Sequence, residues 1–228
     1  MKSTKSTALH RYYDSRSLPA AVFDVGVNSQ TAELIALFPK IKHYLFEPDD
    51  THLPAIEKNY SSIDYTLHRV ALSDEENQGF LVKRSLHKNG VATHSSLKAE
   101  PEAVDGKDTV SCEEFNSCRF DSMGISVPNN SLLKIDTDGS DLPVIKGFGS
   151  FLKNFEVVIC EAITAKIAPT AAYLQANGFL LTDICDRVYY GSALYQVDLF
   201  FVRLERVDEN YKPNIKSGFR RDLWRPVD

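Results

Sequence analysis

Short apolar runs alternate with stretches of helical periodicity along most of the chain. The runs at residues 21–25 and 43–46 contain β-branched and aromatic side chains, as buried strands do. Between them, residues 31–38 repeat apolar side chains at helical spacing until Pro39 ends the pattern. This order predicts a strand, a turn, a helix and a second strand.

The rest of the chain repeats this alternation. Further strands are expected at residues 63–72, 80–85, 132–135, 156–162, 179–185 and 197–204, and further helices at 54–59, 142–148 and 166–177. Residues 86–107 are polar, lack a clear period and are long for a loop, which is typical of a substrate-facing segment. Alternating strands and helices predict an α/β domain whose mostly parallel sheet carries helices on both faces.

The length of 228 residues suits one α/β domain with a sizeable core. We assign residues 20–207 to this domain. Residues 1–19 are expected to form a helical lead-in with Leu9, Tyr12 and Tyr13 on its apolar face. Residues 208–228 have mixed charge and are expected to form an appended arm.

Charge and composition argue against several classes of protein. The net charge of −5 and the isoelectric point near 5.7 do not favour general binding to nucleic acid. No apolar run approaches the roughly 20 residues that span a bilayer, and the N-terminal stretch lacks the apolar core of a signal peptide. Cys160 and Cys185 lie in strand-like runs, so buried thiols in a reducing cytoplasm are expected.

Acidic and polar residues stand at the ends of the predicted strands. Asp24, Glu47, Ser73, Asp136 and Glu161 each lie at or near such an end. Ligands of parallel α/β sheets bind outside the carboxyl ends of the strands, so these side chains are expected to converge on one crevice. This convergence is the main sign of function in the sequence.

The turn after the first strand indicates what the crevice binds. Gly26 has no Cβ, so the backbone can turn sharply there and approach a ligand closely. Glu47 lies 23 residues after Asp24, where a carboxylate can hold both hydroxyls of a ribose. A single glycine leaves little room for a pyrophosphate, and Asp24 suits a positively charged ligand. The pattern favours an adenosine compound such as S-adenosylmethionine, which carries a sulfonium and an amino group.

Five segments resemble the FkbM-type methyltransferases in order and spacing. They are FDVGVN, YLFEP, RVALSD, LLKIDTDGSDLPVIKGF and VVICEA, and the resemblance covers roughly residues 20–204. It implies a Rossmann-like methyltransferase fold with a seven-stranded sheet, and methyl transfer from S-adenosylmethionine to a hydroxyl of a sugar or secondary metabolite. Gln30 replaces the usual glycine of the cofactor turn, and Asp138 and Asp141 replace the usual glutamates after KID.

Three candidate cofactor residues also have a plainer structural interpretation, which for Glu47 is a surface acid before Pro48. Asp24 is expected near the methionine amino group, or as a carboxylate that only stabilises the turn. Asn28 either contributes to the cofactor site or acts only as a helix N-cap. Ala71 and Ser73 are expected to border the adenine.

Asp136 is the candidate nearest to the reacting methyl group. Methyl transfer to oxygen depends on positioning the two reactants, and a carboxylate that removes the hydroxyl proton adds about 10²- to 10⁴-fold. His94 and Glu161 are further candidates for contact with the acceptor. No metal site is predicted, because the spacing of Asp136, Asp138 and Asp141 is not that of an EF-hand; a Mg²⁺ shared with the substrate is the alternative.

The acceptor is expected to be a small molecule or a glycan rather than a nucleic acid.

Two other functions compete with methyl transfer. A nicotinamide-dependent oxidoreductase also places an acid on a ribose, but it requires a glycine-rich turn that residues 24–30 lack. A non-catalytic relative that binds a ligand without turnover is supported only by Gln30.

Overall fold

The computed structural model of the protein describes residues 3–85, 92, 94–104 and 108–207. The predicted arm at 208–228 lies outside the described residues. Five α-helices form in the described part of the chain: Lys5–Tyr13 (α1), Ala32–Leu37 (α2), Leu53–Asn59 (α3), Asp141–Gly147 (α4) and Thr164–Ala176 (α5). Its strands are Val22–Val25 (β1), His43–Phe46 (β2), Tyr65–His68 (β3), Ala71–Leu72 (β4), Gln78–Arg84 (β5), His94–Lys98 (β6), Thr109–Cys118 (β7), Ser131–Ile135 (β8), Phe155–Ile163 (β9), Phe179–Tyr190 (β10) and Ala193–Arg203 (β11).

The main sheet contains seven strands in the order β10-β11-β9-β8-β1-β2-β3. The strands from β9 to β3 in this order run parallel, whereas β11 lies antiparallel to both β9 and β10. β1 lies between β2 and β8, and Asp24 is in register with Leu45 and Lys134. The structure confirms the predicted α/β class with a mostly parallel, seven-stranded, Rossmann-like sheet.

Helices cover both faces of this sheet. Successive residues of a strand point to opposite faces, so Val22 and Phe23 of β1 enter two different apolar clusters. The cluster around Phe23 includes Val144 of α4, and the cluster around Val22 includes Leu9 of α1 and Leu34 of α2. The apolar face of α1 is therefore part of the core of the sheet.

A second sheet of four strands, in the order β4-β7-β5-β6, goes beyond the sequence pattern. The prediction of one strand at 63–72 is wrong, because β3 joins the main sheet and β4 the second sheet, with Arg69 and Val70 between them. The prediction of a loop at 86–107 is wrong in part, because β6 lies within that range. β7 leaves much of its length exposed or half-buried, which explains its weak apolar pattern.

The hairpin of β10 and β11 is longer than the apolar pattern predicts. Its strands are joined by Gly191 and Ser192, and β10 extends beyond the predicted residue 185 to include Tyr189 and Tyr190. The side chains at this end of β10 are exposed, and exposed residues give no apolar signal. Within the part of the chain that the structure describes, no helix has the length and apolar character needed to cross a membrane.

Candidate active site

A cavity of about 430 Å³ opens at the carboxyl ends of β1, β2 and β8, and strands of the second sheet border it. The predicted site residues that line this cavity are Gly26, Asn28, Glu47, Ala71, His94, Asp136 and Glu161. Two predicted residues do not line it. Asp24 is fully buried, and Ser73 packs against α4, where its carbonyl oxygen would lie 2.0 Å from a Cβ added at Gly147.

Gly26 forms the turn after β1, where the backbone packs closely against the end of β8. Its φ is +76°, and a Cβ at this position would lie 1.8 Å from the carbonyl oxygen of Asp136. Its N–H donates to the carbonyl oxygen of Phe46 at 3.0 Å. Any larger residue would push apart the ends of β1 and β8. Packing within the protein therefore requires glycine at this position, whether or not a ligand is bound.

Asn28 orients Glu47 through its backbone. Asn28 has a left-handed conformation with φ of +54°, and its N–H donates to Oε2 of Glu47 at 2.7 Å. The interpretation of Asn28 as a helix N-cap is wrong, because Thr31 occupies that position of α2. The second carboxylate oxygen of Glu47 accepts from the N–H of Asp49 at 2.9 Å. Burial raises the pKa of Glu47 to about 7, although both N–H groups favour the ionised form.

Asp24 forms a buried ion pair below the turn. Its Oδ1 lies 3.2 Å from Nζ of Lys134, and the hydroxyl of Tyr60 donates to its Oδ2 at 3.4 Å. Lys134 also donates to the carbonyl oxygen of Gly26 at 2.8 Å. Burial opposes the charge of Lys134, but Asp24 and Asp136 outweigh it and raise the pKa of the lysine. Asp24 thus contacts the residues that shape the turn, and the structure does not bring its carboxylate into the cavity.

Lys134 is a functional candidate that the apolar pattern of β8 conceals. A lysine within an apolar run carries no sign of burial, because two of its contacts, Asp24 and the carbonyl oxygen of Gly26, come from a distant part of the sequence. Its Nζ lies 3.6 Å from Oδ2 of Asp136, so the same ammonium group connects the turn after β1 with the end of β8. The side chain is 4% exposed, and an unpaired charge at such a depth would cost several kcal/mol.

Asp136 and Glu161 form a pair of interacting carboxyl groups on the cavity wall. A hydrogen bond links their side chains, and the amide of Gln196 donates to Glu161. Burial favours protonation of Asp136, but Lys134 and Lys5 outweigh it and lower its pKa. Burial and the charge of Asp136 raise the pKa of Glu161 to about 9. At neutral pH the pair therefore holds one proton, on Glu161, and Asp136 is ionised.

The second sheet is attached to the cavity by polar contacts. The N–H of Ser95 on β6 donates to Oδ2 of Asp138 at 3.0 Å, and its hydroxyl donates to Asp49 at 3.3 Å. Nζ of Lys83 on β5 lies 2.9 Å from Oδ1 of Asp49, whose side chain is fully buried. His94, also on β6, lines the cavity. Burial raises the pKa of Asp138, and the nearby His94 partly offsets this rise. These contacts place β6 opposite the end of β8.

The family is decided by comparison with known sequences. The sequence model described as "Methyltransferase FkbM domain" matches residues 24–181, which is more than half of the chain. The protein belongs to the FkbM methyltransferase family. It is therefore a methyltransferase whose cofactor is S-adenosylmethionine, as the strand-end acids and the turn predicted. This result decides against the nicotinamide-dependent oxidoreductase.

Solved structures similar to this FkbM domain are distant in sequence. A putative tRNA methyltransferase of Streptococcus pneumoniae, in complex with S-adenosyl-L-methionine, is 13% identical with a TM-score of 0.46, over 92% of this chain and 77% of that one. M. capricolum TrmK, in complex with S-adenosyl-homocysteine, is 12% identical with a TM-score of 0.45, over 89% and 72% of the two chains. At these values the likenesses do not bear on the acceptor. No curated protein matches the chain significantly.

Asp141 of the FkbM domain stabilises the backbone of the turn after β8 by a hydrogen bond. Its Oδ1 accepts from the N–H of Thr137 at 3.0 Å, and burial raises its pKa to about 7. Ser140 stands at the N-cap position of α4 but makes no capping bond with its side chain. Among the described residues no group of three or more histidine, cysteine or acidic side chains has an arrangement that could hold a metal ion.

Proposed function

We propose that the protein transfers the methyl group of S-adenosylmethionine to a hydroxyl oxygen of a sugar or secondary metabolite. The observation that supports this most directly is the placement of Asp136 and Glu161 side by side on the cavity wall, with Nζ of Lys134 3.6 Å from Oδ2 of Asp136 to favour its ionised form. A hydroxyl group is a poor nucleophile until its proton is removed, and an ionised carboxylate can accept that proton.

The cofactor would lie with its adenosine part on the β2 side of the cavity. Glu47 is pre-oriented there by the N–H groups of Asn28 and Asp49, and each of its oxygens keeps a second lone pair for a ribose hydroxyl. Ala71 lines the same cavity and suits contact with the flat adenine ring. The turn at Gly26 separates this part from Asp136, so the sulfonium would face the acid pair.

In this proposal the acceptor oxygen forms a bond to the methyl carbon as the carbon–sulfur bond breaks, and the hydroxyl proton moves to Asp136. Lys134 keeps Asp136 ionised before the reaction. The protonated carboxyl group of Glu161 donates a hydrogen bond to Asp136 and so fixes the orientation of the Asp136 carboxylate. Most of the rate acceleration would come from holding the two reactants in line within the cavity.

The charge of the cavity wall favours an acceptor without phosphate groups. In the described part of this wall, the carboxylates of Glu33, Asp136 and Asp138 outnumber the two lysines, so a polyanion such as RNA would enter against a net negative charge. A neutral hydroxylated ring meets no such repulsion. At the tip of the β10–β11 hairpin, the stacked and exposed rings of Tyr190 and Tyr195 offer a flat surface for such a ring.

A methyl-transfer screen with mass detection tests the function. Sugars, nucleotide sugars, phenolic metabolites and a short RNA would be incubated with the enzyme and S-adenosylmethionine. Methylation of a hydroxylated small molecule is expected, and methylation of RNA alone would overturn the proposal. Binding of the cofactor without transfer to any member of the panel would instead favour the non-catalytic relative.

Asp136→Asn tests the base. We expect turnover to fall by about 10²- to 10⁴-fold, because the amide cannot accept the hydroxyl proton, while affinity for the cofactor changes much less. Asp64→Asn is the control, since this exposed aspartate pairs only with Lys42 among the described contacts. Full turnover in the Asp136 variant would assign the proton to another acceptor.

A further inference from the structure

Lys5 of α1 lines the same cavity as the acid pair, although it lies outside the segment matched by the family. Its Nζ is 2.8 Å from Oδ2 of Asp198 on β11 and 3.9 Å from Oε1 of Glu33 on α2. The side chain is 19% exposed, so it is neither free in solvent nor closed off from the cavity. Its charge also reaches Asp136, whose pKa it helps to lower.

The start of α1 is fixed in place by β10. The backbone N–H of Lys5 donates to Oδ2 of Asp186 at 2.8 Å, and the N–H of Asp186 donates to the carbonyl oxygen of Ser3 at 3.1 Å. The hydroxyl of Ser3 donates to Asp183 at 2.9 Å. These bonds anchor the backbone at the start of the helix, and the ion pair with Asp198 holds the Lys5 ammonium group at the cavity wall.

The cofactor carries one negatively charged group, for which the described wall offers few cationic side chains. Its sulfonium and amino group suit acidic neighbours, but its carboxylate requires a positive partner or N–H donors. Among the described residues that line the cavity, the lysines and arginines are Lys5 and Lys134. Lys134 already contacts Asp24, Asp136 and the carbonyl oxygen of Gly26. Lys5 has closer contact with Asp198 alone, and an ammonium group has three donors.

We propose that the ammonium group of Lys5 binds the carboxylate of the methionyl part of S-adenosylmethionine, so that α1 completes a cofactor site begun by Glu47. Glu47 follows β2, whereas Asp198 holds Lys5 beside β11, so the two residues stand toward opposite ends of the crevice. The inference depends on the proposed placement of the ribose at Glu47 and does not depend on which acceptor is methylated.

The test compares two ligands on two proteins by calorimetry without any acceptor. The ligands are S-adenosylmethionine and its decarboxylated analogue, and the proteins are wild type and Lys5→Met. Wild type is expected to bind S-adenosylmethionine about 10- to 100-fold more tightly than the analogue, as for a charged hydrogen bond. Lys5→Met is expected to lose most of this preference while its affinity for the analogue stays within about threefold.

Three controls separate a ligand contact from a structural role. Lys166→Met changes an exposed lysine on α5 and should keep the full preference. Lys5→Arg should keep most of it, because the charge remains. Lys5→Met/Asp198→Asn removes the unpaired buried carboxylate and should show the same loss of preference as Lys5→Met, with the thermal midpoint closer to that of wild type.

Two results would overturn the inference. Lys5→Met could keep the wild-type preference, which would place the carboxylate elsewhere, or it could weaken both ligands equally, which would give Lys5 a structural role. Neither result concerns methyl transfer. If the proposed acceptor class were wrong, the calorimetric preference for the carboxylate would be unchanged, so the two failures can be told apart.

Discussion

At the scale of single residues, Glu47 links cofactor affinity to pH. Its carboxylate must be ionised to accept two ribose hydroxyls, and burial raises its pKa to about 7 in the free protein. Below pH 7 the free protein must release the Glu47 proton in order to bind, so the affinity for S-adenosylmethionine should fall by up to about tenfold for each unit of decreasing pH. Between pH 7 and pH 8 the contribution of Glu47 to this dependence should level off.

Calorimetry between pH 5.5 and 8.5 checks this prediction for Glu47. Glu47→Gln should bind more weakly at pH 8 and lose the pH dependence, and Glu47→Ala should cost about 2 kcal/mol of binding free energy. Glu57→Gln, a change at an exposed residue of α3, should behave as wild type. An unchanged affinity in Glu47→Ala would place the ribose elsewhere.

Glu161 should destabilise the free protein as the pH rises. Its pKa is raised to about 9, so the folded state keeps a proton that the unfolded state loses near pH 4.5. The unfolded state then binds fewer protons between these values, and the free energy of unfolding falls with rising pH by up to about 1.4 kcal/mol per unit.

Glu161→Gln should remove this contribution. Urea unfolding at pH 5 should give similar stability for variant and wild type, and at pH 8 the variant should be the more stable protein. An amide at this position can still accept from Gln196 and donate to Asp136. A variant that is equally destabilised at both pH values would show that packing, and not the proton, determines the effect.

Sequence reasoning found the site residues that follow predicted strands and missed those that approach from elsewhere. Glu47, Asp136 and Glu161 could be placed on the crevice because the carboxyl ends of parallel strands share one edge. Lys134 and Lys5 could not, because the buried partner of each, Asp24 or Asp198, is far away in the sequence. Only the folded chain brings Lys5 beside Asp198, which lies near the opposite end of the described chain.

At the scale of elements, the same distinction separates the two sheets. β1, β2, β8 and β9 are buried and apolar, so their own sequences predict them. The second sheet pairs β4 with β7 and β5 with both β6 and β7, and its strands are partly exposed. Their polar residues form hydrogen bonds and ion pairs instead of packing in a core, so the sequence around β6 shows no apolar period and resembles a loop.

The contact between Lys83 and Asp49 should hold the second sheet against the cavity. Asp49 is fully buried, and without its ammonium partner its charge is left with hydrogen bonds from Thr51 and Ser95. Lys83→Met should lower the free energy of unfolding by about 3–5 kcal/mol and increase hydrogen exchange in β5 and β6. Urea unfolding and exchange mass spectrometry measure both effects.

A second substitution separates charge from packing at this contact. Lys83→Met/Asp49→Asn removes the unpaired charge and should recover part of the stability lost in Lys83→Met. Lys98→Met changes an exposed lysine at the end of β6 and should stay within about 0.5 kcal/mol of wild type. Equal costs for Lys83→Met and Lys98→Met would mean that the sheet is held by its apolar contacts alone.

At the scale of the whole molecule, one apolar cluster joins both ends of the described chain to the centre of the main sheet. It contains Leu9 of α1, Leu132 of β8, Phe200 of β11 and Val207. Leu9 is fully buried, so Leu9→Ala should leave a cavity and cost about 2–5 kcal/mol. Because the cluster spans the sheet, we expect this loss in one cooperative transition and not as local fraying of α1.

Hydrogen exchange together with urea unfolding distinguishes these outcomes. In Leu9→Ala, exchange in α1, β8 and β11 should accelerate by similar factors, and the unfolding midpoint should move without a second transition. Leu18→Ala, at a side chain that is 53% exposed, should change stability by less than about 0.5 kcal/mol. If only α1 exchanged faster, the helix would be a separable attachment, and a cofactor site that includes Lys5 would open and close with it.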